Sequence, residues 1–185
     1  MSSALARIAQ RSAAEREATL ERCELCGTPI AEDHRHLLEP GPRTLLCGCR
    51  ACALLFDRGG RYLLVPERRT RLDGATLDDL AWEQLRLPVD IAFFVVQDGS
   101  LRAYYPGPMG ATESHLDFEL EVPLEPEVEA LLVNRAQGRR EHWTVPIDDC
   151  FRLVGLIRVH WRGLTGGRVV WEEIGRFFDG LEMRR

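Results

Sequence analysis

Two closely spaced pairs of cysteines are the residues of this sequence best suited to do chemistry. The first pair is Cys23 and Cys26, followed by Gly27, and the second pair is Cys49 and Cys52. Two thiolates three positions apart can bind one ion when the backbone turns tightly between them, and a glycine relieves crowding at such a turn. The distance between the pairs is close to that of four-cysteine zinc sites. The sequence therefore predicts a single metal site, with Cys23, Cys26, Cys49 and Cys52 as its ligands.

Zinc is the metal that this ligand set favours, because zinc prefers a closed tetrahedral thiolate site and needs no redox role. Iron in a rubredoxin-type site uses the same four ligands, since tetrahedral sulfur suits both metals. An iron–sulfur cluster is a third option, because Cys47 supplies one more thiol beside Cys49. Cys47 is also an alternative to Cys49 as a ligand. The ligand types alone leave the metal open.

Two histidines and one further cysteine lie outside this predicted ligand set. His34 and His36 are two residues apart, which places them on the same side of a strand. They are alternative ligands, but the favoured interpretation is a pair of polar residues beside a turn, because four cysteines already satisfy zinc. Cys150 lies on the apolar face of a predicted helix, so we expect it to be a buried core residue.

Composition and motifs exclude several classes of protein. All 24 basic side chains are arginine, and the absence of lysine excludes a Schiff-base enzyme and a P-loop. No nucleophile signature surrounds the cysteines, so no catalytic residue is predicted. The net charge of −5 argues against broad nucleic-acid binding. The basic stretch Arg58, Arg61, Arg68, Arg69 and Arg71 keeps nucleic acid as a low-ranked alternative.

The hydrophobic content of 45% predicts a globular protein with a sizeable core. No apolar run approaches the roughly 20 residues that span a bilayer. The first 20 residues contain Glu15 and Glu17 among their arginines and lack the apolar region of a signal peptide. We therefore expect a cytoplasmic protein, whose cysteines are thiols or metal ligands and not disulfides.

The predicted fold is α+β, in three parts. Residues 1–22 are expected to form a helical arm, with the helix over 3–21. Residues 23–72 form a small zinc-ribbon or rubredoxin-like module, with short strands at 36–38, 44–46 and 62–65. Residues 73–185 form an α+β domain with an antiparallel sheet and a C-terminal helical hairpin. Its predicted elements begin with a helix over 76–85, which has Leu77, Leu80 and Ala81 on one face, and strands over 89–97 and 101–105, which are joined by a turn at Asp98 and Gly99. A loop over 106–114, a strand over 116–122, a helix over 126–136 and an extended piece at 143–145 follow. The last two elements are helices over 147–161, where a buried strand is the alternative, and over 169–181.

Several motifs resemble those of an uncharacterised actinobacterial family. They are Cys23-x-x-Cys26, His34-Arg-His36-Leu-Leu, Leu46-Cys47-x-Cys49-Arg-Ala-Cys52, Pro146-Ile-Asp-Asp-Cys and Trp161-Arg-Gly-Leu-Thr-Gly-Gly167. This resemblance covers most of the chain. Members of that family are encoded beside nickel–iron hydrogenase genes. The resemblance implies an accessory or assembly role, or that of a minor subunit, with a hydrogenase subunit or maturation factor as partner.

Three functions follow from these observations. The leading hypothesis is a non-catalytic, metal-binding accessory protein that acts through protein–protein contacts, because a metal ribbon gives a rigid docking surface at small size. The second is a rubredoxin-like electron-transfer module with iron at the same cysteines. The third is a nucleic-acid-binding zinc ribbon that acts as a regulator.

Overall fold

A computed structural model describes residues 21–56, 60–72, 77–114 and 122–183. The chain divides into two compact units, Met1–Leu64 and Val65–Arg185. The division lies earlier than the boundary predicted at residue 72, because Thr70–Arg71 is a strand in the sheet of the second unit. The predicted N-terminal helix lies outside the described residues except for Glu21, which is not helical.

The first unit is built on a small antiparallel sheet with the strand order β2–β1–β3. These strands are β1 (Arg35–Glu39), β2 (Thr44–Gly48) and β3 (Leu63–Leu64), and the helix α1 (Arg50–Phe56) follows β2. The three predicted short strands are therefore confirmed. The central strand β1 carries the buried side chains of Leu37 and Leu38. A side chain at Gly48 would collide with Leu37, since its Cβ would lie 2.5 Å from the Leu37 Cδ1.

The second unit contains a six-stranded antiparallel sheet with the order β4–β9–β8–β5–β6–β7. Its strands are β4 (Thr70–Arg71), β5 (Ile91–Gln97), β6 (Ser100–Gly107), β7 (Gly110–Ser114), β8 (Glu129–Asn134) and β9 (Glu141–Pro146). The α+β class, the antiparallel sheet and the C-terminal helices are thus as predicted. Every residue of β8 is buried, which is expected of a strand inside a sheet that is covered on both faces.

The hairpin between β5 and β6 forms at the predicted turn. Asp98 and Gly99 both have positive φ, at 50° and 76°, as a two-residue turn with the twist of the flanking strands requires. The predicted loop over 106–114 is wrong, because β6 continues to Gly107 and β7 pairs with it. Pro106 is tolerated there, since β5 pairs with β6 only as far as Tyr104 and the missing N–H interrupts no ladder on that side.

The helix predicted over 126–136 is also wrong, because Glu129–Asn134 is the strand β8. Acidic residues after a proline resemble a helix start, but Glu129 has a different role. Its side chain is fully buried, and its two oxygens accept hydrogen bonds from Arg68 at 2.6 and 3.0 Å. Burial raises the pKa of this carboxyl, yet the guanidinium of Arg68 and a hydrogen bond from the Glu125 N–H together outweigh that effect and lower the pKa below its usual value. The strand predicted over 116–122 lies outside the described residues except for Val122.

Three α-helices and a short 3₁₀ helix, Ala136–Gly138, complete the described part of the second unit. The α-helices are named in chain order. They are α2 (Asp79–Gln84), α3 (Ile147–His160) and α4 (Gly167–Glu182). As predicted, α3 and α4 pack together as a hairpin, and α3 lies on the sheet. Cys150 on α3 is fully buried, as expected. Leu80, expected on the apolar face of α2, is instead 66% exposed. No helix in the described ranges has the length and apolar character needed to cross a membrane.

Candidate metal centre

The first cysteine pair lies on a tight turn that the backbone itself closes. The Cys23 N–H donates to the carbonyl of Thr28 at 2.9 Å, and the Gly27 N–H donates to the carbonyl of Cys23 at 2.8 Å. Gly27 has a φ of 74°, a conformation that favours glycine. This is the local geometry that the Cys23–Cys26–Gly27 spacing predicts. Both sulfurs lie in one cluster with those of Cys49 and Cys52.

The second pair lies where β2 leads into α1. Cys49 precedes the first residue of the helix, and Cys52 lies in its first turn and is buried. The Cys52 N–H lies 3.4 Å from the Cys49 sulfur, to which it donates. A strand therefore leads directly into a helix at this pair. The sheet here is antiparallel, so the arrangement still differs from the parallel βαβ unit of thioredoxin-like redox motifs.

Glu24, a residue for which the sequence predicts no role, joins the two cysteine segments. Its N–H donates to the carbonyl of Cys47 at 2.9 Å, while its carboxylate accepts from the Cys47 N–H at 2.6 Å. A small apolar cluster of Cys23, Ile30 and Cys52 lies beside this contact. The turn and the strand are therefore held together by one backbone–backbone hydrogen bond and by one hydrogen bond to the Glu24 carboxylate.

The four sulfurs of Cys23, Cys26, Cys49 and Cys52 lie within 4.8 Å of one another and can hold a metal ion. The Cys26 and Cys49 sulfurs are 3.7 Å apart. Tetrahedral zinc with Zn–S bonds of about 2.3 Å places its sulfurs roughly 3.8 Å apart. The spacing of these two sulfurs therefore fits a tetrahedral thiolate site. Iron bound by four sulfurs has nearly the same tetrahedral geometry, so the geometry does not identify the metal.

The pKa values of the thiols differ because their surroundings differ. The Thr28 hydroxyl, 3.4 Å from the Cys26 sulfur, and the Thr28 N–H stabilise the thiolate and lower the pKa of Cys26 to about 6. Burial raises the pKa of Cys23, but backbone N–H groups around its sulfur outweigh burial and lower the pKa overall. Burial raises the pKa of Cys52 to about 12. The cluster thus offers a thiolate at neutral pH, and a bound cation would displace the remaining protons.

His34, His36 and Cys47 form a separate group. Their donor atoms also lie within 4.8 Å of one another, and the two imidazole rings meet edge to face with centroids 4.8 Å apart. In the sheet, His36 is paired with Cys47 across β1 and β2. The structure therefore brings the three alternative ligands to each other. Burial, together with the Glu24 and Glu21 carboxylates, raises the pKa of Cys47.

The basic stretch is paired with acidic side chains. Arg58 lies outside the described residues. The other four arginines each contact a carboxylate. The pairs are Arg61 with Glu39, Arg68 with Glu129, Arg69 with Asp149, and Arg71 with Glu182. These contacts neutralise the charges on which the nucleic-acid hypothesis depended, so the hypothesis loses its main support.

Comparison with known proteins assigns the chain to a family but indicates no reaction that it catalyses. Residues 22–185 match the model of a family of unknown function, DUF5947. The matched range includes all six cysteines as well as His34 and His36. No curated protein and no solved structure matches the chain.

Proposed function

The chain belongs to DUF5947, a family of unknown function, and we propose that it is a zinc-binding accessory or assembly protein that acts through protein–protein contacts. The observation that carries this proposal is the cluster of four sulfurs within 4.8 Å of one another. The ligands that we propose are Cys23, Cys26, Cys49 and Cys52. Zinc is proposed because a closed thiolate site is the usual form of structural zinc.

The metal would act as a fold-stabilising crosslink of a zinc-ribbon module. The first unit has a short sheet, and the apolar cluster at the cysteines is small. A module of this size depends on additional stabilisation, and binding of zinc to thiolates contributes directly to its folding free energy. The ion would fix the turn at Cys23 to the start of α1, which makes the surface of the helix rigid.

The helix α1 supports a role in protein contact. Its inward side carries Cys52 and Ala53, both buried, whereas Leu54 and Leu55 are 68% and 74% exposed. Phe56 next to them is 37% exposed. Adjacent exposed apolar side chains are typical of interaction surfaces. We propose that Leu54, Leu55 and Phe56 form the contact surface, held in place by the metal-bound Cys52.

A nickel–iron hydrogenase subunit or maturation factor is the partner that we propose. The support is the resemblance of the cysteine segment and of the motifs around α3 and α4 to a family encoded beside hydrogenase genes. The absence of a catalytic motif in the sequence agrees with an accessory role.

Metal analysis of a cysteine variant tests the site. Cys26→Ser should reduce the zinc content of the purified chain by about one equivalent and destabilise the first unit, because a three-ligand site holds zinc poorly. Cys150→Ala is the matched control, since Cys150 is buried in the second unit and its loss should leave the zinc content unchanged. If Cys26→Ser retains all its zinc, the ligand assignment is wrong.

A charge-introducing variant tests the contact surface. Leu54→Glu with Leu55→Glu should keep the zinc content and lose co-purification with the hydrogenase. Leu80→Glu is the matched control, because Leu80 is similarly exposed at 66% but lies on α2. Unchanged hydrogenase maturation and activity after deletion of the gene would refute the accessory role.

The hydrogen bonds to the sulfurs favour a second candidate, a rubredoxin-like electron-transfer module. Backbone N–H groups lower the pKa of Cys23, and the Cys52 N–H donates to Cys49. Such hydrogen bonds also tune the potential of iron–thiolate centres. Chain produced with ample iron should then be coloured and should change its absorbance on reduction. Colourless protein with bound zinc would eliminate this candidate.

A further inference from the structure

The group of His34, His36 and Cys47 has the composition of a metal site in its own right. Its donor atoms lie within 4.8 Å of one another. The antiparallel register brings His36 opposite Cys47, and directly opposed side chains share a face of the sheet. His34 lies two residues before His36, and its ring contacts that of His36. The backbone thus gathers these three side chains before any ion binds.

The hydrogen bonding of His34 points to a missing ligand. Its Nδ1 lies 2.8 Å from the Ala31 carbonyl oxygen. Because a carbonyl only accepts, Nδ1 carries the proton, and the neutral ring presents a lone pair at Nε2. The side chain is only 8% exposed, and Nε2 is buried with no hydrogen-bond partner among the described residues. A buried unpaired acceptor is costly.

A metal ion would satisfy this atom. Histidines that bind metals commonly donate the other ring N–H to a backbone carbonyl or a carboxylate. His34 does so with Ala31, and a Glu21 carboxylate oxygen lies 3.5 Å from the same nitrogen. The Glu24 carboxylate lies next to Cys47 and accepts a hydrogen bond of 2.6 Å from its N–H. Two carboxylates beside the group favour the binding of a cation.

We propose that His34, His36 and Cys47 form a second metal site, which binds a divalent cation such as Zn²⁺ through two imidazole nitrogens and one thiolate. Binding displaces the thiol proton of Cys47 to solvent and forms one metal–sulfur bond and two metal–nitrogen bonds. Three protein ligands leave a fourth tetrahedral position for water, as in exchangeable or reactive zinc sites. The first site would have four protein ligands and no free position, whereas the second would keep one position for water.

The charges of the two sites are complementary. Zinc with four thiolates carries a net charge of −2, whereas zinc with one thiolate and two neutral imidazoles carries +1. Cys47 packs against the cluster that contains Cys23 and Cys52, so the two sites are neighbours. Occupation of the four-cysteine site would therefore strengthen binding at the second site.

Metal counting on the untagged full chain tests this proposal. Wild-type protein should bind two equivalents of Zn²⁺, and His34→Gln with His36→Gln should bind one. His160→Gln is the matched control, because this histidine lies at the end of α3, and it should keep two. Co²⁺ substitution reports on the fold of the variant, since its four-thiolate absorption persists only if the first site is intact.

Three results would overturn the proposal. They are a single equivalent in the wild-type chain that the double-histidine variant keeps, two equivalents in the double-histidine variant, and loss of both equivalents in Cys47→Ala, which would make the two groups one site. Cys47→Ala is expected to keep one equivalent. Failure of the four-cysteine proposal looks different, because the wild-type chain would then bind one equivalent, which Cys26→Ser keeps and the double-histidine variant loses.

Discussion

Arg69 and Arg152 bind the same carboxylate, and their different burial gives a sharp prediction of stability. Asp149 is 2% exposed as a side chain. One of its oxygens accepts a hydrogen bond from Arg69 Nε at 2.5 Å, and the other lies 2.8 Å from Arg152. Arg69 is 14% exposed, whereas Arg152 is 45% exposed. The position of Asp149 in the first turn of α3 would by itself indicate only a favourable interaction with the helix dipole, so its arginine partners are evident only from the tertiary structure.

Arg69→Ala should lower the free energy of unfolding by about 3–4 kcal/mol, because removing the buried partner leaves a buried carboxylate poorly compensated. Arg152→Ala should cost about 1 kcal/mol or less, since solvent screens the more exposed partner. A loss of 3–4 kcal/mol corresponds to a melting temperature roughly 12–16 °C lower for a unit of this size.

Tryptophan fluorescence during urea unfolding is a suitable assay, because all four tryptophans lie in the second unit. Adding Asp149→Asn to the Arg69→Ala chain should recover much of the loss, since the unpaired charge disappears. Equal effects of Arg69→Ala and Arg152→Ala, or no recovery in the double variant, would refute the reasoning from burial.

Three further predictions concern packing and pH. Gly48→Ala should cost about 1–3 kcal/mol in the first unit, because the new Cβ would lie 2.5 Å from Leu37; thermal unfolding monitored by far-UV circular dichroism measures it. The pKa of Glu129 is lowered in the folded chain, so its ionised carboxylate stabilises the fold at pH values above the unfolded pKa of about 4.3. This stabilisation is lost as the pH falls through the folded pKa. Glu129→Gln should therefore make the free energy of unfolding less dependent on pH in this acid range, as measured by urea titrations at several pH values. Trp143→Ala should cost about 3–5 kcal/mol, because this side chain is fully buried. Trp171→Ala should cost less, since Trp171 is only partly buried; equal losses in urea unfolding would contradict this order.

The sequence by itself determined the features that depend on local spacing. The turn at Cys23 and Cys26, the hairpin at Asp98 and the amphipathic helices α3 and α4 follow from residue types a few positions apart. Such features are encoded locally because the backbone geometry of a turn or a helix repeats over a few residues. That the two cysteine pairs share one site was predicted from the length of chain between them, and it is the tertiary structure that brings the four sulfurs together.

Only the tertiary structure decided the features that depend on long-range pairing. The segment 129–134 carries helix-start signals, yet it forms β8 because burial between β5 and β9 outweighs local preference. The register of β1 and β2 places His36 opposite Cys47, and a shift of one residue would put them on opposite faces. The roles of the arginines were decided in the same way. Their carboxylate partners lie far away in the chain, where no spacing rule reaches.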